Sequence, residues 1–179
     1  GFFNEISLFW VATSNRIFFI TLKDGKLLFS TKIGAPIVIA FFYQLETEKL
    51  IVLCHQKAVS LLAYTNNKIT PVKCIFSIPS GVTITYIYRH ICGCADGVLR
   101  TFNIINDNEK YKFTVSGEPA SNDKDPIKFI CGGDKTIYAN LLSGDTVKYS
   151  NETLEKEGVI PTTSVAQMIK YKDSLIMFR

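Results

Sequence analysis

The stretch LKDGKLLFSTKIGAPIVIA, residues 22–40, decides the fold that we expect for this chain of 179 residues. The pair Asp24-Gly25 is a tight-turn signal, because both residue types accept the positive backbone φ that two-residue hairpins need. A short strand follows, Gly34-Ala35-Pro36 interrupts it, and an unbroken apolar run begins at Ile37. This order predicts an outer β-hairpin, a crossing, and then an inner strand that is buried on both faces.

The same order recurs along the chain. Hairpins are predicted over residues 16–34, 58–81 and 97–117, with Asn66-Asn67 and Asn106–Asn108 at the second and third turns. Each hairpin leads through a glycine or proline into another apolar strand. The crossover glycines of the four repeats are Gly34, Gly81, Gly117 and Gly158. They lie 47, 36 and 41 residues apart, which straddles the about 40–50 residues of a β-propeller blade.

The repeat predicts an all-β chain that folds as a β-propeller of four-stranded antiparallel blades. The predicted boundaries are a partial blade at 1–33, blades at 34–80, 81–117 and 118–158, and a partial blade at 159–179. We therefore expect an incomplete propeller of about four blades; the alternative is a closed ring whose termini share one blade. An open arc leaves strand edges and apolar faces uncovered, so the chain alone is expected to aggregate or to be unstable.

The pattern of turn, aromatic residue, glycine and apolar run resembles the quinoprotein repeat, also called the PQQ-enzyme repeat. In that family a tryptophan on the outermost strand docks against the adjacent blade, whereas this sequence has other aromatic residues at those positions. The resemblance implies this docking role for Phe29, Phe76 and Tyr111, with Leu154 at a degenerate fourth position. The Gly-His and Trp-Asp dipeptides that are typical of WD propellers do not occur in the sequence.

Three segments, residues 9–37, 91–119 and 157–179, are similar to the C-terminal propeller of aminoadipate-semialdehyde dehydrogenase-like acyl-CoA synthetases. This resemblance implies a propeller module within a larger ATP-dependent acyl-activating enzyme. Enzymes that use the quinone hold it with calcium, with acidic and amide ligands and, in many cases, with two adjacent cysteines. The sequence has no Cys-Cys pair, so no cofactor is expected.

Composition and charge limit the partners of this chain. Apolar residues make up 47% and charged residues 20%, with a net charge of +4. Lysine and arginine are scattered among acids, so no nucleic-acid surface is expected. The longest apolar run, residues 36–43, is far too short to span a membrane, and the first ten residues lack the pattern of a signal peptide. Five cysteines within apolar runs favour reduced thiols in a cytoplasmic protein.

The segment HICGCADG, residues 90–97, holds the strongest metal-ligand candidates, His90, Cys92 and Cys94. Histidine and cysteine are good zinc ligands. Alternate residues of a strand, however, lie about 7 Å apart, whereas ligand atoms lie about 2.0–2.3 Å from a zinc ion. We therefore predict that these three residues bind no metal and belong to a structural blade strand.

No catalytic residue is predicted, because the sequence contains no nucleophile elbow, zinc-protease helix, P-loop or dinucleotide-binding pattern. The expected function is that of a non-catalytic scaffold or protein-interaction module, bound to a protein partner or to flanking domains of the same polypeptide. One alternative is a fragment of a PQQ-dependent dehydrogenase, which predicts a calcium and quinone site. The other is a WD-like interaction propeller of a different assembly, with other residues between its blades.

Overall fold

A computed structural model gives the fold of this chain and describes residues 2–3, 6–55, 57–108, 110–118, 125–162, 165, 167–171 and 174–178. Over these residues the chain forms β-strands and turns, without an α-helix. Within this described part, no helix therefore has the length and the apolar character that crossing a membrane requires. The all-β class predicted from the sequence is confirmed.

The first sheet has four strands in the order in which they follow one another along the chain. These strands are β1 (Phe2–Phe3), β2 (Leu8–Ala12), β3 (Arg16–Thr21) and β4 (Leu27–Lys32). The sequence predicted a partial blade over residues 1–33, with no inner strand before β2. The structure differs there, because β1 pairs antiparallel with β2. A strand of two residues is too short to produce a readable alternation of apolar and polar side chains.

The second sheet has the same order and antiparallel pairing. Its strands are β5 (Ile39–Leu45), β6 (Glu48–Cys54), β7 (Val59–Thr65) and β8 (Lys68–Val72). Asn66 and Asn67 form the predicted turn between β7 and β8, and both have a positive φ. β8 is an edge strand, which is where a sheet tolerates a proline such as Pro71.

The third sheet has five strands, in the order β10-β11-β12-β13-β9. They are β9 (Cys74–Ser77), β10 (Ile84–Tyr88), β11 (Ile91–Cys94), β12 (Leu99–Asp107) and β13 (Lys110–Val115). β9 pairs parallel with β13, so that Phe76 lies opposite Phe113. The sequence placed Phe76 on the outermost strand of the preceding blade. In the structure that strand ends at Val72, and β9 is a separate strand.

The fourth sheet is antiparallel, and the fifth is a two-stranded hairpin. The fourth sheet contains β14 (Ile127–Gly132), β15 (Thr136–Leu141), β16 (Thr146–Ser150) and β17 (Lys156–Ile160). The fifth contains β18 (Gln167–Tyr171) and β19 (Ser174–Phe178). The first and last strands thus belong to different sheets, which differs from the alternative in which the two termini share one blade.

Two compact units divide the chain, residues 1–77 with 104–114 and residues 78–103 with 115–179. In the first unit, β2 and β3 pack against the second sheet through a core that includes Phe19, Ile51 and Leu53. In the second unit, one core joins Ile91 on β11 to Ile127 on β14. A further small core joins Met168 on β18 to Cys131 on β14.

The most deeply buried strand of the second sheet is β6 and not, as the sequence predicted, the inner strand β5. Residues Leu50–Cys54 of β6 are all buried, whereas β5 contains no fully buried residue. The reason is packing, since Ile51 and Leu53 of β6 belong to the core of the first unit, whereas Ala40 and Phe42 of β5 are only partly buried against that core. The apolar run at the start of β5 therefore predicted a strand correctly, but it overestimated how far the side chains of that strand are buried.

Gly93 sets how closely β11 can approach β14 in the second unit. A Cβ atom at this position would lie 2.6 Å from Cγ2 of Ile127 and 2.9 Å from Cδ1 of Ile130. Both distances are shorter than packed carbon atoms allow. The glycine between Cys92 and Cys94 therefore permits close sheet-on-sheet packing, which gives the HICGCADG segment a structural role.

Candidate interaction surface

The three metal-ligand candidates do not form a common site. His90 is exposed in the turn between β10 and β11, whereas Cys92 and Cys94 are fully buried on β11. No group of three histidine, cysteine or acidic residues within reach of one ion occurs among the residues that the structure describes. The absence of a bound metal stays a prediction, which needs a direct measurement.

The amount of zinc that the protein retains after dialysis tests this prediction. After exposure to zinc and exhaustive dialysis, we expect the protein to retain much less than one zinc ion per chain, because the strand geometry cannot bring the three ligands to one ion. The measurement is elemental analysis of the wild type beside a Cys92→Ala, Cys94→Ala variant. Stoichiometric zinc in the wild type that the double variant loses would contradict it.

Burial disfavours the thiolate form of three of the cysteines, Cys54, Cys74 and Cys94. Burial raises the pKa of Cys54, and burial likewise raises that of Cys74, which is half-buried. Burial also raises the pKa of Cys94, and this effect outweighs the hydrogen bond from Arg100. Since the thiolate is the reactive and metal-binding form, a raised pKa suppresses both kinds of chemistry.

The structure gives the three predicted docking aromatics different environments. Tyr111 is buried and donates a hydrogen bond from its hydroxyl to Oε1 of Glu48, 3.0 Å away. Phe29 and Phe76 are only partly buried. The ring of Phe29 lies 6.3 Å from that of Phe19, and the ring of Phe76 lies 5.7 Å from that of Phe113. Their role in docking between blades stays a prediction.

The five predicted turn and crossover glycines also divide into two groups. Gly25, Gly81 and Gly117 have positive φ values of 67°, 76° and 102°. Gly34 and Gly158 lie in open surroundings, where a Cβ would meet no atom within 4 Å. Gly158 lies inside β17 and not after it. Gly34, Gly81 and Gly117 lie between strands, and the role of these glycines in the crossings stays a prediction.

Asp96 and Arg100 form a buried ion pair at the corner between β11 and β12. Two guanidinium nitrogens of Arg100 donate to the carboxylate of Asp96 at 2.8 and 2.7 Å, and the two side chains are only 3% and 4% exposed. Arg100 also donates to the carbonyl oxygen of Glu118 at 3.0 Å. Gly117 lies so close that a Cβ there would be 3.4 Å from Nε of Arg100. The pair therefore connects this corner to the segment after β13.

The electrostatics of this pair favour its charged form. Burial alone would raise the pKa of Asp96, but hydrogen bonds from Arg100 and from the Val98 amide outweigh burial and lower that pKa. The hydrogen bond to Asp96 also raises the pKa of Arg100. Sequence reasoning did not select Arg100, although a charged residue inside the apolar segment GVLRTF was a signal that could have found it.

Leu154 lines two open grooves in the second unit, of about 480 and 540 Å³. Both grooves also contain Val98 and Leu99, and one of them extends to Arg100. The resemblance placed Leu154 at the degenerate docking position of the repeat, and this role stays a prediction.

The outer face of the β18–β19 hairpin exposes large apolar side chains in the second unit. Its four large side chains are Ile169, Tyr171, Ile176 and Phe178, which are 39%, 60%, 38% and 48% exposed. Ile169 lies directly opposite Ile176 in the antiparallel register. The inner face of the hairpin is covered, since Met168, Leu175 and Met177 pack around Cys131. We call these four exposed residues the outer face of the hairpin.

The sequence predicts both strands of the hairpin, but it does not predict that this face is exposed. The sequence shows apolar residues on both faces of β18–β19, which it also shows for strands that are fully buried. Only the packed structure shows that the large side chains of one face are 38–60% exposed.

Comparison with known structures supports a β-propeller. The chain is similar to BBS1N, crystallised in complex with ARL6DN, with a TM-score of 0.61 at 12% identity over 95% of this chain and 57% of that one. For BamB from Moraxella catarrhalis, a PQQ-like propeller, the TM-score is 0.57 at 12% identity over 98% and 56%. For the β-propeller domain of Myceliophteria thermophila Cps50 (Swd1), it is 0.55 at 9% identity over 98% and 78%.

These similarities define the class of the protein. Its four-stranded antiparallel sheets and its structural neighbours confirm the predicted β-propeller fold. At these identities the similarity shows the fold alone. The chain spans little more than half the length of the BBS1N and BamB chains. No protein-family model matches the sequence, and no curated protein is similar to it at a significant level.

Proposed function

We propose that this chain is a non-catalytic β-propeller module that acts as a scaffold or protein-interaction domain, and that its contact surface includes the outer face of the hairpin. The observation that carries the proposal is the cluster of four exposed apolar side chains on one sheet face. A contiguous exposed apolar patch on a soluble domain is typical of a binding surface. Aromatic residues such as Tyr171 and Phe178 are also enriched at the centres of protein interfaces.

The comparisons support the same kind of function. BBS1N, one of the similar propellers, was crystallised in complex with another protein, ARL6DN. We propose a protein partner for this chain as well. The quinoprotein-like repeat, the link to a larger acyl-activating enzyme and the cytoplasmic location are further proposals, which rest on the sequence resemblance and on the free thiols.

A partner-binding experiment tests this function. A protein crosslinked to the native chain in its source cells is identified, and its affinity for the purified chain is then measured. Replacing Ile176 with aspartate should weaken this affinity at least tenfold, because a desolvated charge would replace an apolar contact in the interface. The matched control is Leu27→Asp, since Leu27 on β4 is 60% exposed in the other unit.

The two variants separate surface-specific binding from a general effect of added charge. Loss of affinity in Ile176→Asp, with full affinity in Leu27→Asp, supports the proposed surface. Equal affinity of the wild type and both variants shows that the outer face of the hairpin is not the contact surface.

A further inference from the structure

We propose that Ser60 is a site of covalent acylation, at which its hydroxyl attacks the carbonyl carbon of an activated ester while the imidazole of His55 takes the proton. The two residues lie at the turn between β6 and β7, within the first unit. This inference goes beyond the proposed function, because it concerns one modification of the chain, without turnover, and does not involve the outer face of the hairpin.

The first observation is that two contacts fix the imidazole ring of His55. The side chain is buried, with only 4% of the residue exposed. Its Nδ1 atom lies 3.2 Å from the carbonyl oxygen of Pro36. Its Nε2 atom lies 3.3 Å from Oγ of Ser60. Each ring nitrogen therefore has one polar partner, and the ring bridges the segment before β5 to the first residues of β7.

Backbone hydrogen bonds hold both partners in place. The amide of Val38 donates to the carbonyl oxygen of Cys54 at 2.8 Å, which ties the segment around Pro36 to the end of β6. The amide of His55 donates to the carbonyl oxygen of Ala58 at 2.9 Å and closes the turn into β7. The ring contacts of His55 thus rest on main-chain geometry.

The second observation is the direction of the two hydrogen bonds. A carbonyl oxygen can only accept, so Nδ1 of His55 must carry a proton and donate it to Pro36. In the neutral ring Nε2 then has a lone pair, and the hydroxyl of Ser60 donates to it. A serine that donates to a histidine, which a third group orients, is the arrangement that activates a nucleophile. Its 3.3 Å distance suits a site without substrate, where such contacts are often loose.

The third observation is access to the hydroxyl. Ser60 is exposed, although the ring that accepts its proton is buried. Ser60 also lines an open groove of about 240 Å³ in the first unit, together with apolar side chains such as Leu61 and Val72. A groove of this size and lining suits a short acyl group, and the burial of His55 keeps its lone pair directed at Ser60.

The reaction is balanced without a further reactant. Oγ of Ser60 forms a bond to the acyl carbon, and its proton moves to Nε2 of His55. The bond between the acyl carbon and the leaving oxygen then breaks, and the leaving group takes the proton from Nε2. The products are an ester on Ser60 and a free alcohol, and His55 returns to its neutral form.

The probe is p-nitrophenyl acetate, added to the 179-residue protein in mildly alkaline buffer. The rate of acetylation at each residue is measured by mass spectrometry of the intact chain and of its peptides. The test variants are Ser60→Ala and His55→Asn. The matched control is Ser30→Ala, since the hydroxyl of Ser30 in the same unit contacts the guanidinium of Arg16 and not an imidazole. Wild type unfolded in urea is measured beside them.

We expect the folded wild type and Ser30→Ala to acquire one acetyl group at Ser60 at the same rate, and Ser60→Ala to acquire none there. A positioned general base contributes about 100-fold or more, so His55→Asn should slow acetylation at least about tenfold. Asparagine can still donate to the carbonyl of Pro36, which preserves the turn. In urea the wild type should lose the same advantage, because unfolding separates the two side chains.

Two outcomes overturn the inference. One is acetylation of lysines or of Cys74, which lines the same groove, without acetylation of Ser60. The other is acetylation of Ser60 at equal rates in the folded and the urea-unfolded wild type, a comparison that does not depend on how any variant folds. Neither outcome affects the proposed function, because the affinity of Ile176→Asp for a partner is measured separately.

Discussion

Replacing Asp96 with alanine is expected to lower the free energy of unfolding by about 3–5 kcal/mol, because it leaves the charge of Arg100 buried without its counter-charge. Both side chains are almost fully buried, and the pair is bidentate. The measurement is the midpoint of urea-induced unfolding at neutral pH. The matched control is Asp107→Ala, which removes the partly exposed ion pair with Lys112 and should change stability by less than about 0.5 kcal/mol.

The pH dependence of stability gives a second readout of the same pair. The pKa of Asp96 is lower in the folded chain than its ordinary value of 3.8. Its contribution to stability is therefore fully present above that ordinary value and is lost as the pH falls through the lower, folded value. The wild type should lose this contribution in acid, and Asp96→Ala should not. Equal destabilisation by Asp96→Ala and Asp107→Ala at neutral pH would show that the buried pair has no special role.

Replacing Phe113 with alanine is expected to cost about 3–5 kcal/mol of unfolding free energy, because its side chain is fully buried and the truncation leaves a cavity. Replacing its neighbour Phe76 should cost clearly less, since part of that ring remains exposed to solvent. The docking role that the resemblance implies for Phe76 would instead bury its ring between blades and give the full cost. Urea unfolding of the two variants measures both costs.

Ile75 is the control for this comparison. It lies next to Phe76 on β9 and is 54% exposed, so Ile75→Ala should change stability by less than about 0.5 kcal/mol. A cost for Phe76→Ala that equals the cost for Phe113→Ala would contradict the partly exposed position of Phe76 and favour a docking role for its ring.

Much of the fold could be predicted from the sequence, because turn residues and strand periodicity are local properties. Asn66-Asn67 predicted a hairpin turn and forms one, since asparagine accepts a positive φ. The presence of a strand likewise depends on nearby residues, and the sequence predicted strands correctly for most of the chain. Which strand a residue belongs to depends on pairing with other segments of the chain. The sequence therefore placed Phe76 on the wrong strand and missed the two-residue strand Phe2–Phe3.

Little of the candidate surface could be predicted, because exposure depends on what packs against a strand and not on its own residues. Ile176 and Ile51 are the same residue type within similar apolar strands. Ile51 is fully buried, whereas Ile176 is 38% exposed. No rule that reads a single strand can distinguish them.

The sequence by itself determined the all-β class, the hairpin turns and the spacing of the repeat, since these follow from the φ preferences and side-chain alternation of nearby residues. The tertiary structure alone decided that the ion pair of Asp96 and Arg100 is buried, that Gly93 permits close packing of β11 on β14, and that one face of β18–β19 exposes large apolar side chains. Burial and exposure depend on segments that are distant in sequence, such as Gly117 beside Arg100 and Ile127 beside Gly93, which become neighbours only when the chain folds.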